Sequence, residues 1–234
     1  MMEIQDNISA VLAFPNHDFL TEENIEDIYN IGMDTGSIDF SGADLSKDQP
    51  YHIADLLTSN KLISIVQIDI SYVNITQDGF DAIIYACMEI KSLQSFVACG
   101  LKLLNISGMS ISKLLTAKGN LRILDIKQNN LNDIGIATLS NAFSYDYSRY
   151  KYNISILTLT VLDLSYTNIT DTGILALYRS LLQFLKRSKH TNIKPSLKIL
   201  KLNHNCITDK GVNCIAQLLQ TSNNIEHSNN IIEN

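Results

Sequence analysis

At 234 residues and 45% hydrophobic content, the chain is long enough to bury a real core and too apolar to be disordered. Its 18 basic against 24 acidic residues give a net charge of −6, which argues against a general nucleic-acid binder. No run of about 18 apolar residues is present, so no membrane span is expected, and four cysteines are too few for a disulfide scaffold.

The opening MMEIQDNISAVLAF carries acidic residues where a secretory leader needs basic ones, so export by that route is not expected. Residues 1–34 read as an N-terminal helical cap. Ile4, Ile8, Val11, Leu12 and Phe14 precede Pro15, and a helix after Thr21 bears Ile25, Ile28 and Tyr29. Glu22, Glu23, Glu26 and Asp27 fall in its first turns, where the helix dipole favours them.

From residue 35 onward one pattern recurs. Its clearest copy is Leu121, Leu124, Ile126, Asn129 and Leu131, then Gly135 and Leu139. The same spacing fits Leu159, Leu162, Leu164, Thr167, Ile169, Gly173 and Leu177, and again Leu197, Leu200, Leu202, Asn205, Ile207, Gly211 and Ile215. Upstream it fits Ile65, Ile68, Ile70, Val73, Ile75, Gly79 and Ile83. Looser copies begin at Leu93, with Ser107 in the glycine position, and at Thr35. The pattern LxxLxLxxNxLxxxGxxxL resembles the leucine-rich repeat, in its long helix-bearing form typified by ribonuclease inhibitor. The resemblance covers residues 35–221.

The physics of the pattern points the same way. Apolar residues at period two suit a short strand with one buried face. After the glycine the spacing turns helical, as in Ile134, Ile136, Leu139 and Phe143, or Ile174, Leu177, Leu181, Leu182 and Leu185. Thr76, Asn132, Thr170 and Thr208 stand three residues before the glycine position as helix caps. Stacked strands sit about 4.8 Å apart, whereas packed helices need about 8–10 Å. The expected fold is therefore an α/β leucine-rich repeat solenoid, a horseshoe with short parallel strands on the concave face and helices on the convex face. Strands are expected near Ile38, Ile68, Phe96, Leu124, Leu162 and Leu200.

The last two steps carry insertions. Residues 141–158 hold Tyr145, Tyr147, Tyr150 and Tyr152; residues 178–196 hold Arg179, Lys186, Arg187, Lys189, His190 and Lys194. Both decorate the helix-to-strand return. They read either as longer helices with solvated loops or as a basic, tyrosine-rich patch for an anionic partner. A polar tail, 222–234, follows, with Ile225, Ile231 and Ile232 as its apolar residues. Charge is polarised: residues 1–120 carry a net −10 and residues 121–234 a net +4.

Residues between the strand leucines are expected on the concave surface. They include a stripe of Asp39, Asp69, Asp125 and Asp163 continued by Lys201, with Lys127, Tyr72, Tyr166 and His204 beside it. Stacked carboxylates repel, and a partner using them accounts for that cost, although LDLS is an ordinary spelling of this repeat. These nine residues form the candidate partner-binding set. Asn129 and Asn205 occupy the position whose side chain ties the turn backbone. Ala43, Val73 and Leu101 cannot do so, which leaves the turns of the N-terminal half open to change.

Nothing in the sequence assembles a catalytic or cofactor site. A flat carboxylate row offers no enclosed pocket. The five histidines are scattered, Cys206 and Cys214 lack a second pair, and no glycine-rich phosphate loop occurs. Sequons at Asn7, Asn74, Asn105, Asn153 and Asn168 are expected to stay bare without a leader. No enzyme, metal or cofactor is expected. The resemblance implies a cytoplasmic protein-interaction module. The acidic N-terminal half and the Asp stripe point to a protein partner bearing a basic segment, and the net charge and lack of an apolar span point to neither nucleic acid nor membrane. A composition rich in Asn, Ile and Ser suits a bacterial effector delivered into a host cell or a protist scaffold. The alternatives are a regulator similar to the Ran GTPase-activating proteins and an adaptor for ubiquitin ligation. Against the former, the last 13 residues hold only Glu226 and Glu233 as acids.

Overall fold

The computed structural model describes residues 20–59, 64–117, 119–144, 155–188 and 196–221. Outside these lie the apolar residues before Pro15, the four insertion tyrosines, Lys189, His190, Lys194 and the tail beyond Thr221.

The first described element is helix α1, Glu22–Thr35, opened by a capping box in which Thr21 and Asn24 bind each other's backbone. Ile25, Ile28 and Tyr29 are buried beneath it, and it packs on the first strand and the next helix. Thr35, the opening residue of the loosest repeat copy, thus closes this helix.

From there the chain alternates. Strand β1 is Ser37–Asp39 and β2 Asp44–Leu45, followed by α2, Gln49–Ser59. Next come β3, Gln67–Asp69, β4, Asn74–Ile75, and α3, Gln77–Glu89. Then follow β5, Ser95–Val97, α4, Ser107–Thr116, β6, Ile123–Asp125, and α5, Asn132–Ser144. A short α6, Ser155–Thr158, precedes β7, Val161–Asp163, and the long α7, Asp171–Ser188. The described part ends with β8, Ile199–Lys201, and α8, Asp209–Thr221.

Six strands form one parallel sheet in the order β1-β3-β5-β6-β7-β8. The register is unbroken: Ile38 pairs with Ile68, Ile68 with Phe96, Phe96 with Leu124, Leu124 with Leu162, and Leu162 with Leu200. These are the six expected strand centres, all buried. The helices pack in sequence as a second layer, α2 on α3, α3 on α4, α4 on α5, α5 on α7 and α7 on α8. One contiguous core runs between sheet and helices.

One correction concerns the helices. Ile134 was expected on the buried face of α5 but is 64% exposed, because the buried stripe begins one position later with Gly135 and Ile136. Thr76 caps α3 by accepting from the Gly79 N–H. Thr170 and Thr208 cap α7 and α8 as expected, accepting from the Thr172 and Lys210 N–H groups, and are themselves held from the preceding repeat. Asp133 accepts from the Thr170 N–H, the Thr170 hydroxyl and the Gly173 N–H, and Asp171 repeats this with Thr208 and Gly211.

The turns of the N-terminal half stay ordered without asparagine. Ala43, Val73 and Leu101 are buried in its place. Backbone bonds and the β2–β4 pair hold the first two turns. The third is served by Asn129 from the next repeat, which accepts from the Leu101 and Leu103 N–H groups.

Candidate functional site

The sheet face turned away from the helices carries the candidate residues. Registered pairing puts Asp39 beside Asp69, Asp125 beside Asp163 and Asp163 beside Lys201, with Val97 interrupting the row. Each aspartate has a local duty that spacing alone did not reveal. Its Oδ1 accepts the N–H two residues on, from Ser41, Ser71, Lys127 and Ser165 at 2.8–3.1 Å. Such closure by a side chain is the usual work of Asp at a turn.

The second carboxylate oxygens divide the row in two. Asp125 pairs with Lys127 at 3.1 Å and Asp163 with Lys201 at 3.3 Å. Asp163, expected on the open surface, is only 3% exposed beneath that lysine. Burial pulls the Lys127 ammonium down, but the bond to Asp125 and its charge raise it on balance. Among the described residues no cation pairs with Asp39 or Asp69. Burial pushes the Asp69 carboxyl above the usual range; the charges of Asp39 and Asp125 add to this, while the Ser71 bonds oppose it. Cys99 on the same face is buried, which pushes its thiol up to about 12 and leaves it inert.

Beside the row runs a ladder of residues in the left-handed region: Gly42, Tyr72, Gly100, Gln128, Tyr166 and His204, with φ between 54° and 77°. The repeat turn demands this conformation, which glycine adopts freely and a bulky side chain does not. Tyr72 nevertheless stands here. Its ring lies across Gly100, where an added Cβ would come within 2.5 Å of it, and its hydroxyl donates to Gln128 Oε1 at 2.5 Å. Tyr166 stacks on His204 with ring centroids 4.1 Å apart. Both tyrosines remain about half exposed.

From Tyr72 an open groove of about 770 Å³ runs between the strand-to-helix turns of the second and third repeats. Val73, Ile75, Leu101, Leu103 and Leu104 give it apolar walls, and Lys102, itself at φ 57°, is the formal charge among its lining residues. Sequence reasoning passed over it. The available clue was Leu104, which stands where the other copies have Ser46, Thr76, Asn132, Thr170 and Thr208.

Residues 120–140, 156–177 and 194–216 match the Leucine Rich repeat family model. These segments are leucine-rich repeats. They contain β6, β7 and β8, and the register that continues back to β1 carries the same strand–turn–helix unit through the N-terminal half. Asn129 and Asn205 perform the repeat's asparagine role. Each accepts two N–H groups of the preceding turn and donates to carbonyls of both repeats. No curated protein matches the chain. Among the described residues there is no group of His, Cys, Asp or Glu that could hold a metal ion, and no helix is long and apolar enough to cross a membrane.

Proposed function

We propose that this leucine-rich repeat chain is a non-catalytic interaction module that holds a protein partner on the open, concave face of its sheet. Repeats of this kind are typically protein-binding modules, and the alternation of strand and long helix favours the ribonuclease-inhibitor-like form curved into a horseshoe. The observation that carries the reading is the uneven neutralisation of the face. Lys127 and Lys201 pair with Asp125 and Asp163, whereas Asp39 and Asp69 have no cation partner among the described residues, and Tyr72 nearby in the second repeat is exposed. Unquenched carboxylates steer a basic segment, and a fixed aromatic beside them is the usual anchor of an interface. Tyr166 and His204 offer a second aromatic contact further along.

The test starts with a partner captured on the full chain and verified as a purified pair, followed by measurement of association and dissociation rates. Asp39→Asn with Asp69→Asn keeps the turn acceptors and removes the charges. It should slow association and flatten its salt dependence. Tyr72→Ala should speed dissociation. Rates unchanged in all three substitutions, with loss instead on charge reversal at Lys186 and Arg187, would transfer the site to the basic insertion.

A further inference from the structure

The third repeat breaks the rule its neighbours keep at the start of the helix. Ser46, Thr76, Asn132, Thr170 and Thr208 are polar, and the equivalent residue is Leu104, 55% exposed. Two residues on, the other repeats have Asp48, Asp78, Thr172 and Lys210, whereas the third and fourth have Ile106 and Ile134. Both are more than 60% exposed. The register places these isoleucines at equivalent positions of adjacent repeats. Gly108 and Gly135 bring the two helix starts into backbone contact. Exposed Met109 lies in the same turn.

The departure weakens the fold locally. Helix α4 has no side-chain cap, and the Ser107 N–H bonds the Leu104 carbonyl at 3.0 Å instead. Tyr72 and Lys102 on the groove wall both hold left-handed backbone. Sites that break local rules and expose apolar residues together are where binding is to be sought.

We propose that the groove from Tyr72 to Leu104, continued by Ile106 and Ile134, is a docking site for a segment of a partner protein. That segment presents a bulky apolar side chain next to a carboxylate. The apolar group seats against Leu104 and Leu103, and the carboxylate meets Lys102, which has no ion-pair partner among the described residues. Open walls suit a chain segment better than a small molecule, which needs enclosure over most of its surface. Most of the lining residues are aliphatic or glycine, and their single formal charge is positive, so an acidic flank is favoured over a basic one. The proposal rests on the reading of the chain as a protein-binding module and adds a second site, at the edge of the sheet, with opposite charge preference.

The test is selection of short random peptides displayed on phage against the full chain, with enriched peptides titrated by fluorescence anisotropy. Enriched sequences should pair a bulky apolar residue with Asp or Glu. Leu104→Thr, which installs the residue that Thr76, Thr170 and Thr208 supply in other repeats, should leave the melting temperature close to wild type and weaken binding by about tenfold or more. Lys102→Glu should reverse the charge preference. Peptides that retain full affinity for both variants but lose it in Asp39→Asn with Asp69→Asn refute the groove and leave the concave site standing. Peptides indifferent to all four substitutions, or no enrichment, overturn the groove proposal. A captured partner that depends on the aspartates then tests the concave reading separately.

Discussion

Asp69 and Asp171 are the same side chain in opposite settings, and pH separates them. Burial and the neighbouring Asp39 and Asp125 raise the Asp69 carboxyl above its ordinary value, about 3.9. The folded state then binds its proton more tightly than the unfolded chain, so stability falls as pH rises through that window. Asp69→Asn keeps an oxygen for the Ser71 N–H. It should raise the melting temperature at neutral pH, with the gain vanishing below the carboxylate range. Asp171 is lowered, first by the Thr208 hydroxyl and then by backbone N–H groups. Its contribution is present above the unfolded value and lost as pH falls through the lowered one. Asp171→Asn should therefore melt below wild type at neutral pH and converge with it in acid. Melting curves between about pH 3 and pH 7 check both, and a shared direction at neutral pH would contradict the account. The positions of the aspartates were legible in the sequence. Their duties were not, because an i to i+2 bond and a lysine one repeat away leave no mark on spacing.

At the scale of the element, strands were the most legible part, since period-two leucines over a fixed repeat step leave one face to bury. Helix starts were less so. Thr170 caps α7 by accepting from the Thr172 N–H, and its hydroxyl also donates to Asp133, 37 positions earlier. Only the stacked structure brings them together. The same stacking explains Gly108, one residue after the glycine position of its repeat. Helix α4 meets α5 at Gly108, where an added Cβ would overlap the Gly135 carbonyl oxygen and come within 3.0 Å of its Cα. Both obstacles are backbone and cannot rotate away. Alanine favours a helix over glycine by roughly 1 kcal/mol, but overpacking of this kind costs about 1–3 kcal/mol. Gly108→Ala should thus be destabilising overall. A denaturant midpoint at or above wild type would show that the α4–α5 contact yields more easily than its geometry implies.

For the whole molecule, the repeat makes stability a matter of position along the stack. A leucine-rich repeat unit cannot bury its own apolar face, so each depends on its neighbours. Leu124 is wholly buried and paired on both sides, with Phe96 and Leu162 flanking it in the sheet. Leu124→Ala should cost about 2–5 kcal/mol and lower the unfolding midpoint as a whole. Helix α8 differs. It packs chiefly on α7, and three of its residues, Gly211, Ile215 and Leu218, are buried, against six in α3. Strand β8 is likewise paired on one side only, so the outward N–H groups of its turn find no ladder partner among the described residues. Fewer buried contacts and exposed backbone bonds mean that this end opens locally before the array unfolds. Native-state hydrogen exchange should show lower opening free energies in α8 than in α3 or α5. Ile215→Ala should speed exchange in α8 and leave α3 unaffected, whereas Leu124→Ala should speed exchange throughout. If Ile215→Ala instead accelerates every helix equally, the chain unfolds as one unit and the positional account of its stability fails.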